Sequence, residues 1–187
     1  MKKYNFVWVL CTLMTVMTGC NLFNNTPNQP VTPTEPTDDN APVAAYMVYS
    51  FGTDDDMLKI FNITLEYYDA DGTKKSEKLK ETSWSKRVET QSLPAKLGVR
   101  VLLSINSNYS INPYNIEKIS YYVSYISAAI NSEGKETGER YLRSLDKDQD
   151  CASDKILTWL ESYSSHPSYL LLQYDDKGSA TVSTSWE

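Results

Sequence analysis

The chain has 187 residues, of which 18 are basic and 24 are acidic, giving a formal net charge of −6. An acidic balance repels phosphate backbones, and no run of Lys or Arg creates a local basic patch, so nucleic acids are excluded as expected partners. Since only three cysteines are present, a folded domain has to be held together by packing and not by a disulfide framework.

The first 19 residues have the layout of a secretory signal peptide. Lys2 and Lys3 give a positive start, a mostly apolar run follows over residues 4–16, and small residues precede Cys20. The run is too short and too rich in threonine for a membrane span, which needs about 20 apolar residues. Cleavage before Cys20 would remove two lysines and no acid, leaving 16 basic and 24 acidic residues and a net charge of −8.

Met17-Thr18-Gly19-Cys20 resembles the lipobox of bacterial lipoproteins. The resemblance implies cleavage before Cys20 and attachment of a diacylglycerol to its thiol, which makes the lipid bilayer the first expected partner. Two or three acyl chains on one residue form a stable anchor, whereas a single chain is marginal. Cys11 would leave with the signal peptide, so Cys151 would have no cysteine partner in the mature chain.

Residues 20–42 are interpreted as a tether that begins with the lipidated cysteine. Five of the eight prolines lie here, and almost no apolar residue follows Phe23, so the stretch cannot bury enough surface to fold. A lipidated cysteine with such a spacer is similar to the lipoproteins of Bacteroidota, which implies a lipid-anchored protein of the outer membrane. No acidic cluster follows Cys20, and its absence favours the periplasmic face over the cell surface. The tether is interpreted either as a semi-rigid polyproline II rod or as plain disorder, and its role as a spacer is the same in both cases. Four prolines recur at the polyproline II period: Pro27, Pro30, Pro33 and Pro36.

Residues 43–187 are predicted to form one β-rich domain. Apolar side chains alternate with polar ones over residues 61–67, the period of a half-buried strand. Asp69-Ala70-Asp71-Gly72 predicts a hairpin turn, Lys74–Lys80 the returning edge strand, and Asp175–Gly178 a second hairpin. Further strands are predicted at Ala44–Phe51, Trp84–Thr90, Val99–Ile105, Ile119–Tyr125, Arg140–Arg143, Tyr169–Tyr174 and Ala180–Trp186.

One segment has a helical period instead. Apolar residues recur at helical spacing from Ile156 to Tyr163, and Ser153 or Asp154 can cap the first turn, so the sequence predicts an amphipathic helix over 153–164. Seven to nine strands with one late helix predict a mainly β fold. We expect a two-sheet antiparallel β-sandwich, immunoglobulin-like only in the loose sense, with a mixed α+β fold as the alternative.

Three acids form a candidate calcium site. Asp146, Asp148 and Asp150 alternate along the chain just before the predicted helix, and this segment resembles the front half of an EF-hand loop. It departs from that pattern, because Cys151 replaces the turn glycine and Leu157 replaces the bidentate glutamate. The alternative is a solvated loop without metal. A second acidic run, residues 54–56, is predicted to be a hydrated turn.

Aromatic residues form a candidate glycan site. Aromatic rings beside carboxylates suit sugars, whose C–H bonds stack on the ring while the acids accept hydroxyl protons. Tyrosine and tryptophan are equally common in strands and cores, so exposure of two or more rings on one face would favour glycan binding. The candidate stacking residues are Trp84, Tyr109, Tyr114 and Trp186.

No motif indicates catalysis. His166 is the only histidine, and neither a nucleophile elbow nor a zinc signature is present. The sequence therefore predicts a non-catalytic envelope lipoprotein without a cofactor, whose domain contacts proteins or supports an assembly. The alternatives are a glycan-binding lipoprotein of an uptake system and a glycoside hydrolase that uses a pair of carboxylates.

Overall fold

Nine strands and two helices follow one another along residues 38–108, 118–150 and 155–187, which the computed structural model describes. In chain order they are β1 (Ala44–Thr53), α1 (Asp55–Ile60), β2 (Phe61–Tyr68), β3 (Lys74–Lys78), β4 (Ser83–Glu89), β5 (Ala95–Ile105), β6 (Lys118–Ile130), β7 (Glu136–Asp150), α2 (Ile156–Ser165), β8 (Tyr169–Tyr174) and β9 (Ala180–Val182). These elements belong to a unit that runs from Pro36 to Glu187.

The strands form two antiparallel sheets. One has four strands in the order β4-β1-β6-β7, and the other has five in the order β3-β2-β5-β8-β9. The prediction of a mainly β, two-sheet antiparallel sandwich is therefore confirmed.

The core lies between the two sheets. Met47 and Tyr49 of the four-stranded sheet pack into one cluster with Leu65, Val99 and Leu172 of the five-stranded sheet, and at most 1% of each of these side chains is exposed. Successive residues of a strand point to opposite faces of the sheet. The residues between those of the core therefore lie on the outer face of each sheet, where they are available for contact.

The predicted hairpins are confirmed. Gly72 and Gly178 adopt φ of 75° and 77°, the left-handed conformation that glycine accepts without strain. The strand after Gly72 is β3, which lies at the edge of its sheet as its charged sequence predicts.

Four local predictions need correction. The strand predicted at Ala180–Trp186 ends at Val182, the last residue of β9. Residues 54–56 are not a turn, because Asp54 caps α1 through a 2.7 Å hydrogen bond from the Met57 amide to its Oδ1. The strand predicted at Arg140–Arg143 extends over the whole of β7. The late helix is confirmed but begins at Ile156, and the residue before it, Lys155, makes no side-chain capping bond. The proposed cap residues 153 and 154 lie outside the described residues.

The segment after β9 covers the outer face of the five-stranded sheet. Trp186 is only 5% exposed and packs against Tyr68 and Leu171. Its indole N–H donates to Glu66 Oε1 at 2.7 Å, and the Arg100 guanidinium lies 5.2 Å from its ring centre. Tyr68 and Leu171 on this outer face are therefore covered by the chain itself.

Candidate functional site

The outer face of the four-stranded sheet carries apolar side chains in a row across three strands. Val48 of β1 pairs with Ile126 of β6, which pairs with Leu142 of β7. Ile126 is 41% exposed and Leu142 is 72% exposed, while Val48 is half-buried. We call Val48, Ile126 and Leu142 the outer row. Apolar area exposed in this way is typical of contact surfaces.

Polar side chains close the face on one side of the outer row. The Arg87 guanidinium lies 3.9 Å from the ring centre of Tyr46, and the Tyr46 hydroxyl donates to Glu136 Oε1 at 2.5 Å. Arg140 Nη2 in turn donates to Glu136 Oε2 at 2.7 Å. The bonds from Tyr46 and Arg140 lower the pKa of Glu136, whereas burial raises the pKa of Tyr46. This network holds Tyr46 at 5% exposure.

A cleft of about 380 Å³ lies on the other side of the outer row. We call it the Tyr122 cleft, and its lining includes Gly52, Asp54, Tyr122, Asp146 and Asp148. Gly52, Tyr122 and Asp146 are direct partners across β1, β6 and β7. The Tyr122 side chain is 45% exposed, so the strand register places an accessible aromatic ring next to a carboxylate.

The Tyr122 ring lies directly over Gly52. A Cβ atom at position 52 would come within 2.2 Å of Tyr122 Cε1 and 2.6 Å of Cζ. Any other residue at this position would displace the ring, so Gly52 permits the ring to rest against the backbone of β1.

Asp54 and Asp146 of the cleft differ in whether their oxygens already accept hydrogen bonds. Asp54 Oδ1 accepts from the Met57 amide, and Asp54 Oδ2 accepts from the Ser120 amide at 2.9 Å and from the Ser120 hydroxyl at 3.2 Å. Asp54 therefore fastens the start of α1 to β6. Asp146 is exposed and accepts no hydrogen bond from the part of the chain that the structure describes. Its oxygens are available to a ligand.

The prediction of an EF-hand-like loop at residues 145–150 is wrong, because these residues are part of β7. Asp146, Asp148 and Asp150 lie in β7 and pair with residues of β6 in an antiparallel ladder. An extended strand spaces alternate residues about 7 Å apart, so the carboxylates of Asp146 and Asp148 do not converge as they would in a loop. Within the described ranges, no group of three or more His, Cys, Asp or Glu side chains is arranged to hold a metal ion.

Two of the predicted stacking residues, Trp84 and Trp186, are packed and hydrogen-bonded within the domain. Trp84 is half-buried against Tyr49 and Tyr67, and its indole N–H donates to Glu77 Oε2 at 2.8 Å. Trp186 is covered as described above, so its 5% exposure does not fit an accessible stacking ring. Tyr109 and Tyr114 lie outside the described residues, as does the lipidation candidate Cys20.

The accessible ring of the cleft, Tyr122, is absent from the predicted set. The alternation from Ile119 to Tyr125 contains the signal that would have identified it, because inward residues at 119, 121, 123 and 125 leave Tyr122 on the opposite face. Its neighbours Gly52 and Asp146 follow only from strand order and register.

His166 lies at the exposed end of α2. Its Nδ1 is 3.1 Å from the Ser165 hydroxyl, but that hydroxyl also donates to the carbonyl oxygens of Glu161 and Ser162 at 3.0 Å. Ser165 is therefore the last residue of α2 and His166 is its C-terminal cap, and their contacts are those of a helix end.

A search of the described residues for a helix long and apolar enough to cross a membrane finds none. No protein-family model matches the chain, and neither a curated protein nor a solved structure is significantly similar to it.

Proposed function

We propose that the chain is an envelope lipoprotein whose β-sandwich is a non-catalytic binding domain for another envelope protein. Acylated Cys20 anchors it in the outer membrane, and residues 21–42 space the domain from the lipid surface. The lipobox-like residues 17–20 and the proline-rich stretch behind them support the anchor and the tether.

The two outer faces differ in how far their apolar side chains are covered, and this difference is the observation that supports the binding role. Both sheets have apolar side chains on their outer faces, but only the five-stranded sheet has them covered by Trp186. On the four-stranded sheet, Ile126 of β6 and Leu142 of the edge strand β7 stay exposed. A domain that covers the apolar cluster on one outer face with its own chain and leaves Ile126 and Leu142 exposed on the other has a preferred side for contact.

The composition around the outer row suits a protein partner. Arg87 on the neighbouring strand β4 and Arg140 on β7 border it, and exposed serines continue it on β4 and β7. Apolar side chains surrounded by polar and arginine side chains are typical of a protein interface that forms between separately folded partners.

Site-specific photo-crosslinking in intact cells tests this proposal. A photo-reactive residue replaces Leu142 in one variant and Lys75, an exposed residue of edge strand β3, in the control variant. We expect illumination to produce a discrete envelope-protein adduct from position 142 and none from position 75. Adding Cys20→Ala should abolish the adduct, because the domain then loses its place at the membrane.

Equal adducts from positions 142 and 75 would contradict the assigned face. An adduct from position 142 that persists in Cys20→Ala would contradict the anchor. The non-catalytic part is tested separately by incubating the purified chain with chromogenic glycosides, and steady release of the chromophore would show a hydrolase instead.

A further inference from the structure

We propose that the Tyr122 cleft binds a neutral sugar ring, with Tyr122 as the stacking platform and Asp146 as the hydroxyl acceptor. This inference rests on the proposed binding role of the same sheet face and adds a ligand class to it. The cleft is next to the outer row but is lined by different residues, so a protein partner and a glycan would use separate parts of the face.

The position of the Tyr122 ring suits stacking. One side of the ring rests against Gly52, where a Cβ would approach Cε1 within 2.2 Å, and the side chain as a whole is 45% exposed. Support by the backbone fixes the ring, so little conformational entropy is lost when a ligand covers it. The face of an aromatic ring carries partial negative charge, which attracts the polarised C–H bonds of a sugar.

Asp146 lies at hydrogen-bonding range from a ligand on that ring. It is the direct partner of Tyr122 on β7, and side chains so paired have Cβ atoms about 4.5–5.5 Å apart. Its carboxylate accepts no hydrogen bond from the described residues. An ionised carboxylate only accepts hydrogen bonds, and it binds hydroxyl donors more strongly than a neutral acceptor does.

The charge of the cleft selects against anionic ligands. Three acids and one base line it, namely Asp54, Asp146, Asp148 and Lys147, and the ammonium group of Lys147 lies 5.7 Å from the centre of the Tyr163 ring. An acidic sugar would be repelled, whereas a neutral one would not. The volume of about 380 Å³ falls within the range of small-ligand sites.

A cationic ligand suits the cleft less well. Recognition of ammonium groups uses several aromatic faces around the cation. Tyr121 is the other aromatic residue in the described lining, and it is only 3% exposed because it packs against Phe51 in the core. The described lining thus offers one accessible ring and not the two expected of a glycan site, and the Asp146 carboxylate beside that ring is what makes a flat sugar ring fit better than a cation.

The test uses the full-length chain in detergent and an array of neutral oligosaccharides built from glucose, galactose, mannose or xylose. The ligand with the strongest signal is then titrated by calorimetry against the wild type, Tyr122→Ala, Tyr122→Phe and Asp146→Asn. Val182→Ala, which shortens a side chain that is 50% exposed on the other sheet, is the control. Circular dichroism confirms that each variant is folded.

We expect Tyr122→Ala to weaken binding about tenfold or more through loss of the stacking surface. Asp146→Asn should weaken binding about fivefold, since a charged acceptor becomes neutral. Tyr122→Phe and Val182→Ala should bind like the wild type. Gly52→Ala, which displaces the ring without removing it, should resemble Tyr122→Ala.

Absence of binding to every oligosaccharide at millimolar concentration would overturn the proposal, as would binding that Tyr122→Ala leaves unchanged. Displacement of the bound sugar by choline would identify a cation site and overturn it too. A negative result would leave the anchored protein-binding role standing, because that role is tested by crosslinking at position 142 in cells.

Discussion

Glu77 is the acceptor for three side chains at the rim of the core. Its carboxylate accepts from the Lys86 ammonium at 2.6 Å, from the Trp84 indole N–H at 2.8 Å and from the Tyr67 hydroxyl at 2.7 Å. The bonds from Lys86, Trp84 and Tyr67, in that order of effect, lower the pKa of Glu77 to about 2. A glutamate on edge strand β3 thus fixes aromatic residues of β2 and β4.

Glu77→Gln should lower the free energy of unfolding by about 1–2 kcal/mol at pH 7, a value discounted for the partial exposure of the carboxylate. The folded-state pKa lies below the usual value of 4.5, so this stabilisation is complete above pH 4.5 and is lost as the pH falls towards 2. Urea unfolding at pH 7 and at successively lower pH measures it.

Glu133→Gln is the control for Glu77→Gln, because Glu133 forms an exposed pair with Lys135 that contributes little. A difference between wild type and Glu77→Gln that stays constant from pH 7 to pH 2 would contradict the role given to the ionised carboxylate.

Among the elements, α1 is a short helix whose position depends on one aspartate. Asp54 caps α1 and also accepts from the backbone amide of Ser120 on β6, so a single side chain connects two elements. Asp55 lies next to it in the first turn and is exposed.

Asp54→Ala should destabilise the domain by about 2 kcal/mol, because the cap is lost and the Ser120 amide loses its acceptor. Asp55→Ala should change stability by no more than about 0.5 kcal/mol. Urea unfolding of the two variants provides the comparison. Equal destabilisation would mean that the acidic run acts through its overall charge and not through the Asp54 bonds.

The sequence predicts the elements whose residues alternate clearly. β2 and both hairpins follow from the period-two pattern and from glycine at the turns. The full length of β7 does not follow, because it is an edge strand whose charged residues mask the alternation. α1 does not follow either, since six residues are too few for a helical period and an aspartate run is as typical of a turn as of a helix start.

The candidate site could be predicted only in part. Tyr122 faces outward because its neighbours face inward, which the sequence alone indicates. Gly52, Tyr122 and Asp146 are brought together by pairing of β1 with β6 and of β6 with β7 across long stretches of chain. Such register depends on tertiary packing, which a single sequence does not specify.

In the whole molecule, Trp186 covers apolar side chains on one outer face, and no such residue among those the structure describes covers Ile126 and Leu142 on the other. Trp186→Ala should destabilise the domain by about 3 kcal/mol, because it uncovers Tyr68 and Leu171 and removes the bond to Glu66. Glu187→Gln is the matched control, since the Glu187 side chain is 83% exposed and should contribute almost nothing. Urea unfolding with an added hydrophobic dye measures both effects, and a stable Trp186→Ala that binds no dye would contradict the covering role.

We propose that the domain is held at a membrane through Cys20. The most direct measurement is fractionation of cells that express the wild type or Cys20→Ala, with the mass of the N-terminal peptide determined from each fraction. We expect the wild type in the membrane fraction with an acylated Cys20 as its first residue, and Cys20→Ala without that modification and outside the membrane fraction. A wild type that is soluble, with residues 1–19 present or an unmodified Cys20, would contradict the account.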